Sequence, residues 1–91
     1  MNIKPVENKL FRICTEDKQR GLIEVAVGKS FQGYTIIKAD GYWNNVFEHS
    51  LIIEIVTPFA YRVHEVARAI KELNQQQAVL VQELEIGETF I

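Results

Sequence analysis

His64 and Glu65 open the stretch HEVAR (64–68), one residue away from the His-Glu-x-x-His pattern that sets two zinc ligands and a general base on one helix face. The fifth position holds Arg68, so the second ligand is missing, and His64 reads as a surface histidine on an amphipathic helix. The other histidine, His49, follows Glu48; two histidines and one mid-strand cysteine do not compose a metal-ligand set. Cys14 beside a histidine would be a nucleophile couple. It sits in LFRICT among apolar neighbours, which raise a thiol pKa and dull its reactivity. Glu48, Glu54 and Asp40 can supply acid–base carboxylates, but no spacing fixes their separation. No enzyme motif emerges, and the chain reads as a non-enzyme with no metal and no cofactor.

Binding chemistry is better represented. In GYWNNVFEHSLIIEI (41–55), Tyr42, Trp43, Phe47 and His49 crowd around Asn44-Asn45, where connections are normally small and polar. Tyr42 and Trp43 are consecutive, so an extended strand sends them to opposite faces. Burial in a core or interface is the competing role for each ring. A ring beside Asn44, Asn45, Glu48 and His49 is also how a base or sugar would be gripped, by stacking on the ring and hydrogen bonds from the polar groups. Arg12, Lys38 or Arg62 of a neighbouring copy would then neutralise a phosphate.

The elements that must position these residues follow from periodicity. Residues 9–15 alternate as a strand, and 17–31 place Leu22, Ile23, Ala26 and Val27 on one helical stripe, with Gly21 and Gly28 weakening the helix and Gly33 marking its stop. YTIIKADGYW (34–43) reads as a strand with Ile37 and Ala39 on one face and Tyr34, Ile36 and Lys38 on the other. Asn44-Asn45 suits the positive φ of a tight hairpin. Val46 to His49 are weakly strand-like, however, which argues for a longer loop over 44–49. SLIIEIVT (50–57) is the best strand in the chain. Thr57-Pro58 then resembles an N-cap followed by a first-turn proline. A helix to Asn74 follows, with Val63, Val66, Ala67 and Ile70 inside and Arg62, Glu65, Arg68 and Lys71 outside. QAVLVQEL (77–84) is a fourth strand, and GETFI leaves room for a short fifth. The order β-α-β-β-α-β implies an α+β ferredoxin-like domain over 1–91: a four-stranded antiparallel sheet with two helices on one face.

Such a sheet keeps a second face. With Phe11, Ile13, Ile37, Ala39, Leu51, Ile53 and Ile55 turned to the helices, the other face carries Leu10, Arg12, Cys14, Tyr34, Ile36, Lys38, Ile52, Glu54 and Val56. That set is too apolar to stay in water. The expected cover is a second copy, sheet to sheet, with Arg12 and Glu54 paired inside; the alternative cover is the C-terminal ELEIGETFI of the same chain.

Composition limits the partners. The 91 residues are 47% hydrophobic and 24% charged, ordinary for a folded domain. A net charge of −2 with scattered Lys and Arg gives no stripe for duplex nucleic acid. No apolar run is long enough for a membrane span, MNIKPVENK lacks a leader's apolar core, and the single cysteine suits a cytoplasmic setting.

The strand order, the apolar open face and the long connection between the second and third strands resemble the PII-type signalling proteins and CutA. That resemblance implies a homo-oligomer, such as a trimer with sheets packed about a three-fold axis, and nucleotides held in clefts between subunits. No phosphate-cradling glycine loop occurs in the chain. GYWNNVFEHSLIIEI and NQQQAVLV also resemble a recurring pattern in small uncharacterised phage and bacterial proteins. The expected function is therefore an oligomer that binds a small nucleotide-like ligand without cleaving it; in a phage it would sequester a nucleotide immune signal. The alternative is an adaptor or inhibitor that engages a partner protein through the 44–49 loop.

Overall fold

Alternation in KLFRICTE buries Phe11, Ile13 and Thr15 on one face of strand β1 (Lys9–Glu16) and leaves Leu10, Arg12, Cys14 and Glu16 half-buried on the other. The same two-residue period buries Leu51, Ile53, Ile55 and Thr57 in strand β3 (Val46–Thr57). These residues form one core with Ile23 and Val27 of helix α1 (Arg20–Ser30) and Val63, Val66, Ala67 and Ile70 of helix α2 (Ala60–Leu73). Both helices therefore cover the same side of the sheet. Truncating a fully buried isoleucine such as Ile53 to alanine would cost about 2–5 kcal/mol.

The structure is a computed structural model that describes residues 7–91. Residues 1–6 of the expected 1–91 domain, including most of the stretch read as having no leader, lie outside the described residues. Strands β2 (Thr35–Trp43) and β4 (Leu80–Glu85) complete an antiparallel sheet in the order β2-β3-β1-β4. This is the βαββαβ ferredoxin-like architecture expected from the element order. Among the described residues no helix is long and apolar enough to cross a membrane.

Four local expectations are corrected. Ile36 pairs with Ile53 and packs on the core, so Ile36 and Lys38 lie on the helix side while Thr35, Ile37 and Ala39 lie on the open face. Two adjacent isoleucines leave the phase of β2 ambiguous in sequence; the hairpin turn fixes it, and a one-residue slip exchanges the faces. That turn is the second correction. Asn44 and Asn45 take φ of 50° and 65°, and Trp43 already pairs with Val46, so residues 46–49 are strand and the 44–49 loop is a two-residue turn. Third, α2 starts at Ala60, and Thr57 does not cap it: the Thr57 hydroxyl accepts the Phe59 N–H at 3.2 Å in the turn before the helix. Fourth, no strand follows β4 among the described residues. Asn8 Nδ2 donates to Glu88 Oε1 at 2.9 Å, and Glu88 and Phe90 border a hollow with Leu10, Glu54 and Val56 at one end of the open face, but Phe90 and Ile91 stay fully exposed and most of the face is uncovered.

On that face Arg12 Nε donates to Glu54 Oε2 at 3.0 Å across directly paired positions, as the alternation required. Ile37, Trp43, Val46, Val56 and Leu80 are exposed on it, and Leu10, Cys14, Ile52 and Leu84 are half-buried. A contiguous apolar face of this kind is normally covered by another surface.

Candidate ligand groove at the foot of the hairpin

Strand β1 pairs with β3 as far as Glu16 opposite Ser50, the Asp17 N–H donates to the His49 carbonyl at 2.8 Å just past it, and the β2–β3 hairpin runs on beyond. Cross-strand contacts keep the extension in register. On the helix side, Tyr42 meets Phe47 edge-on at 5.6 Å between centroids, and Phe47 meets His49 at 4.8 Å. On the open side, Trp43 Nε1 donates to Glu48 Oε2 at 2.7 Å and Ser50 Oγ donates to the same oxygen at 3.0 Å. Gly41 makes room for this arrangement. A Cβ there would collide with Ser50 Oγ and stand 3.2 Å from Trp43 Nε1.

Below the hairpin, the end of β1 forms the floor of a groove of about 690 Å³. Cys14 and Glu16 lie beneath, Trp43, Asn44 and Glu48 form one wall, and the connection from α2 to β4, with Gln75, Gln76 and Gln77, forms the other. That second wall is tied to β1 from below. Asn74 Nδ2 donates to Thr15 Oγ1 at 3.0 Å and to the Glu16 carbonyl at 3.1 Å; Thr15 Oγ1 also bonds Gln76 Oε1, and Gln19 Nε2 donates to the Leu73 carbonyl at 2.6 Å. Gln75 takes a left-handed φ of 53° where the chain leaves the helix. The groove's size falls within the range of small-molecule sites. It opens onto the same helix-free face as the apolar patch.

Two carboxyl groups meet in it. Glu16 and Glu48 both line it, and Lys18 Nζ stands 2.7 Å from Glu16 Oε2. The Lys18 hydrogen bond holds the Glu16 carboxyl below the usual carboxylate range, and partial burial works against it. For Cys14, burial pushes the thiol up and the nearby Arg12 charge pulls it back. The arrangement offers an aromatic face, several carboxamides and two carboxylates, which can stack a planar ring and accept hydrogen bonds from hydroxyl or amino groups.

The residues singled out in the sequence separate into groups. Trp43, Asn44 and Glu48 line the groove. Tyr42 and His49 are on the opposite face of the hairpin, and Asn45 is at its tip. Lys38 shares the helix side with Leu51, its cross-strand partner. Arg12 is on the open face but engaged by Glu54. Arg62 stacks on Phe59 at 4.9 Å near the start of α2, the end of the sheet away from the hairpin tip. Within one chain these three cations do not line the groove. Glu16, Cys14, Gly41 and the Gln75–Gln77 wall were missed as site residues; parity alone places Glu16 with Cys14, but only register brings it to Glu48. His64 is an exposed helix residue as read, and no cluster of three metal-ligating side chains occurs among the described residues.

No protein-family model matches the sequence, and no curated protein matches it. Solved structures do match. A DUF3240 family protein from Shewanella baltica superposes with a TM-score of 0.70 at 12% identity, covering 92% of this chain and 94% of that one. A phage SAM lyase in complex with S-methyl-5′-thioadenosine gives 0.74 at 14% identity, covering 93% and 86%. CPII, a nitrogen regulatory PII-like protein from Thiomonas intermedia bound to ADP, AMP and bicarbonate, gives 0.63 at 15% identity, covering 91% and 96%. At such identities the likeness is one of fold: this chain shares the ferredoxin-like architecture with these proteins, a PII-like one among them.

Proposed function

We propose that this chain is a ligand-binding protein that assembles through the helix-free face of its sheet and holds a nucleoside- or nucleotide-like molecule in the groove at the foot of the hairpin. The observation that carries this reading is the groove's position: a half-exposed Trp43 ring, carboxamides and carboxylates stand at the margin of an exposed apolar face. Copies packed on that face would turn the groove into a cleft between subunits, where Arg12, Lys38 or Arg62 of a neighbour can approach. The fold neighbours support the ligand class, because CPII was solved with ADP and AMP and the phage lyase with S-methyl-5′-thioadenosine. Binding without turnover would make such a protein a regulator or, in a phage, a sponge for a nucleotide signal in the cytoplasm.

Turnover of the bound molecule is the second reading, favoured by the two carboxyl groups, Glu16 and Glu48, that line the groove. The adaptor alternative now rests on the hairpin tip, where Tyr42, Val46 and Phe47 are exposed. Native mass spectrometry of the purified protein, followed by denaturation and analysis of released small molecules, tests the first reading. A defined oligomer that retains or takes up an adenosine-class compound unchanged is the expected result. Conversion of that compound, lost in Glu48→Gln, would replace binding by catalysis. A monomer with no affinity for such compounds would overturn both.

A further inference from the structure

Resting on the nucleoside branch of that ligand reading and replacing its nucleotide branch, we propose that the groove selects by charge: it takes a phosphate-free nucleoside whose 5′ substituent is neutral or cationic, and it rejects nucleoside phosphates. The charged side chains that line it are Glu16 and Glu48, and no cation lines it among the described residues. Lys18 lines the adjoining hollow of about 410 Å³, which shares Glu16, Trp43 and Glu48 with the groove, and its ammonium is engaged by Glu16 at 2.7 Å. Arg12, four residues from Glu16 on β1, is already held by Glu54 at 3.0 Å.

The carboxylates are also fixed in place. Glu48 Oε2 accepts from both Trp43 Nε1 and Ser50 Oγ, which orients the group. An ionised carboxylate only accepts hydrogen bonds. It therefore matches the two hydroxyls of a ribose, or an amino group, and opposes a phosphate. The Trp43 face adds to the preference, because an aromatic ring attracts a cation and stacks a neutral base. The remaining polar lining is carboxamide, from Asn44 and the three glutamines, which can read the edge of a base but cannot neutralise a dianion.

Trp43 is the only tryptophan in the chain, so tryptophan fluorescence reports on the groove and the hollow beside it. Titration of the intact protein with S-methyl-5′-thioadenosine, adenosine and AMP should show the first two binding at least about tenfold more tightly than AMP. Glu16→Gln and Glu48→Gln, tested singly after a circular-dichroism check of folding, should each narrow that gap by improving AMP binding. AMP binding as tightly as adenosine would overturn the selectivity and mean that a second copy delivers a cation to the groove, while the ligand reading would stand. Absence of binding for all three compounds would remove the ligand reading and the selectivity together.

Discussion

Trp43 and Glu48 face each other across the β2–β3 hairpin, the indole N–H donating to the carboxylate at 2.7 Å. The bond pins the one tryptophan against the open face of the sheet and turns a carboxylate toward the groove. Glu48→Ala should shift the Trp43 emission maximum to the red as the ring gains solvent. It should lower stability by about 1 kcal/mol, the usual worth of such a bond at a partly exposed site. Fluorescence spectra and urea denaturation check the two effects.

Gly41 is the companion of that pair. Adding a methyl group by Gly41→Ala drives a Cβ into Ser50 Oγ and crowds Trp43 Nε1. The expected loss is about 1–3 kcal/mol, with displacement of the indole. Thermal melts together with tryptophan emission would detect it; an unchanged spectrum and melting temperature would mean that the indole does not lie over Gly41.

On the open face, Ile37→Lys and Val56→Lys place charges in the exposed apolar patch. Each should dissociate the proposed oligomer while helix content stays at the parent level, because neither side chain belongs to the buried core. Native mass spectra of the parent and both variants, read beside circular dichroism, decide this. Arg12 and Glu54 are partly exposed in a single chain, so their pair is expected to contribute only about 0.2–1 kcal/mol in a monomeric variant.

Cys14 carries a pH prediction. Burial raises the thiol pKa above its ordinary value, and Arg12 opposes the rise. The neutral thiol is thus the form the fold favours. Its contribution to stability is fully present below the usual thiol range and is lost as pH rises through the raised value. Alkylation of Cys14 at pH 8 should run several-fold slower than that of an unstructured cysteine peptide, and Arg12→Ala should slow it further. Iodoacetamide labelling followed by mass spectrometry measures both rates.

How far the sequence reaches can be judged residue by residue. The interior faces of β1 and β3, the buried stripe of α2 and the facing of Arg12 and Glu54 are all legible, because strand and helix periods are local properties of consecutive side chains. The opposed faces of Tyr42 and Trp43 follow from the same alternation. The helix limits were less sharp: the stripe read over 17–31 forms a helix only from Arg20 to Ser30, since the chain before it turns through Gln19 in a left-handed conformation.

The sequence by itself determined the order of the elements, the apolar character of the helix-free face and the presence of an aromatic, amide-rich hairpin, since each depends on residue type and spacing along a short stretch. Only the tertiary structure decided the phase of β2, the approach of Glu16 to Glu48 and the Gln75–Gln77 wall beside Trp43. Those relationships join residues up to 60 positions apart, such as Glu16 and Gln76. They are set by strand register and by the packing of α2 on the sheet. No local pattern encodes which residue of one strand will stand opposite which residue of another.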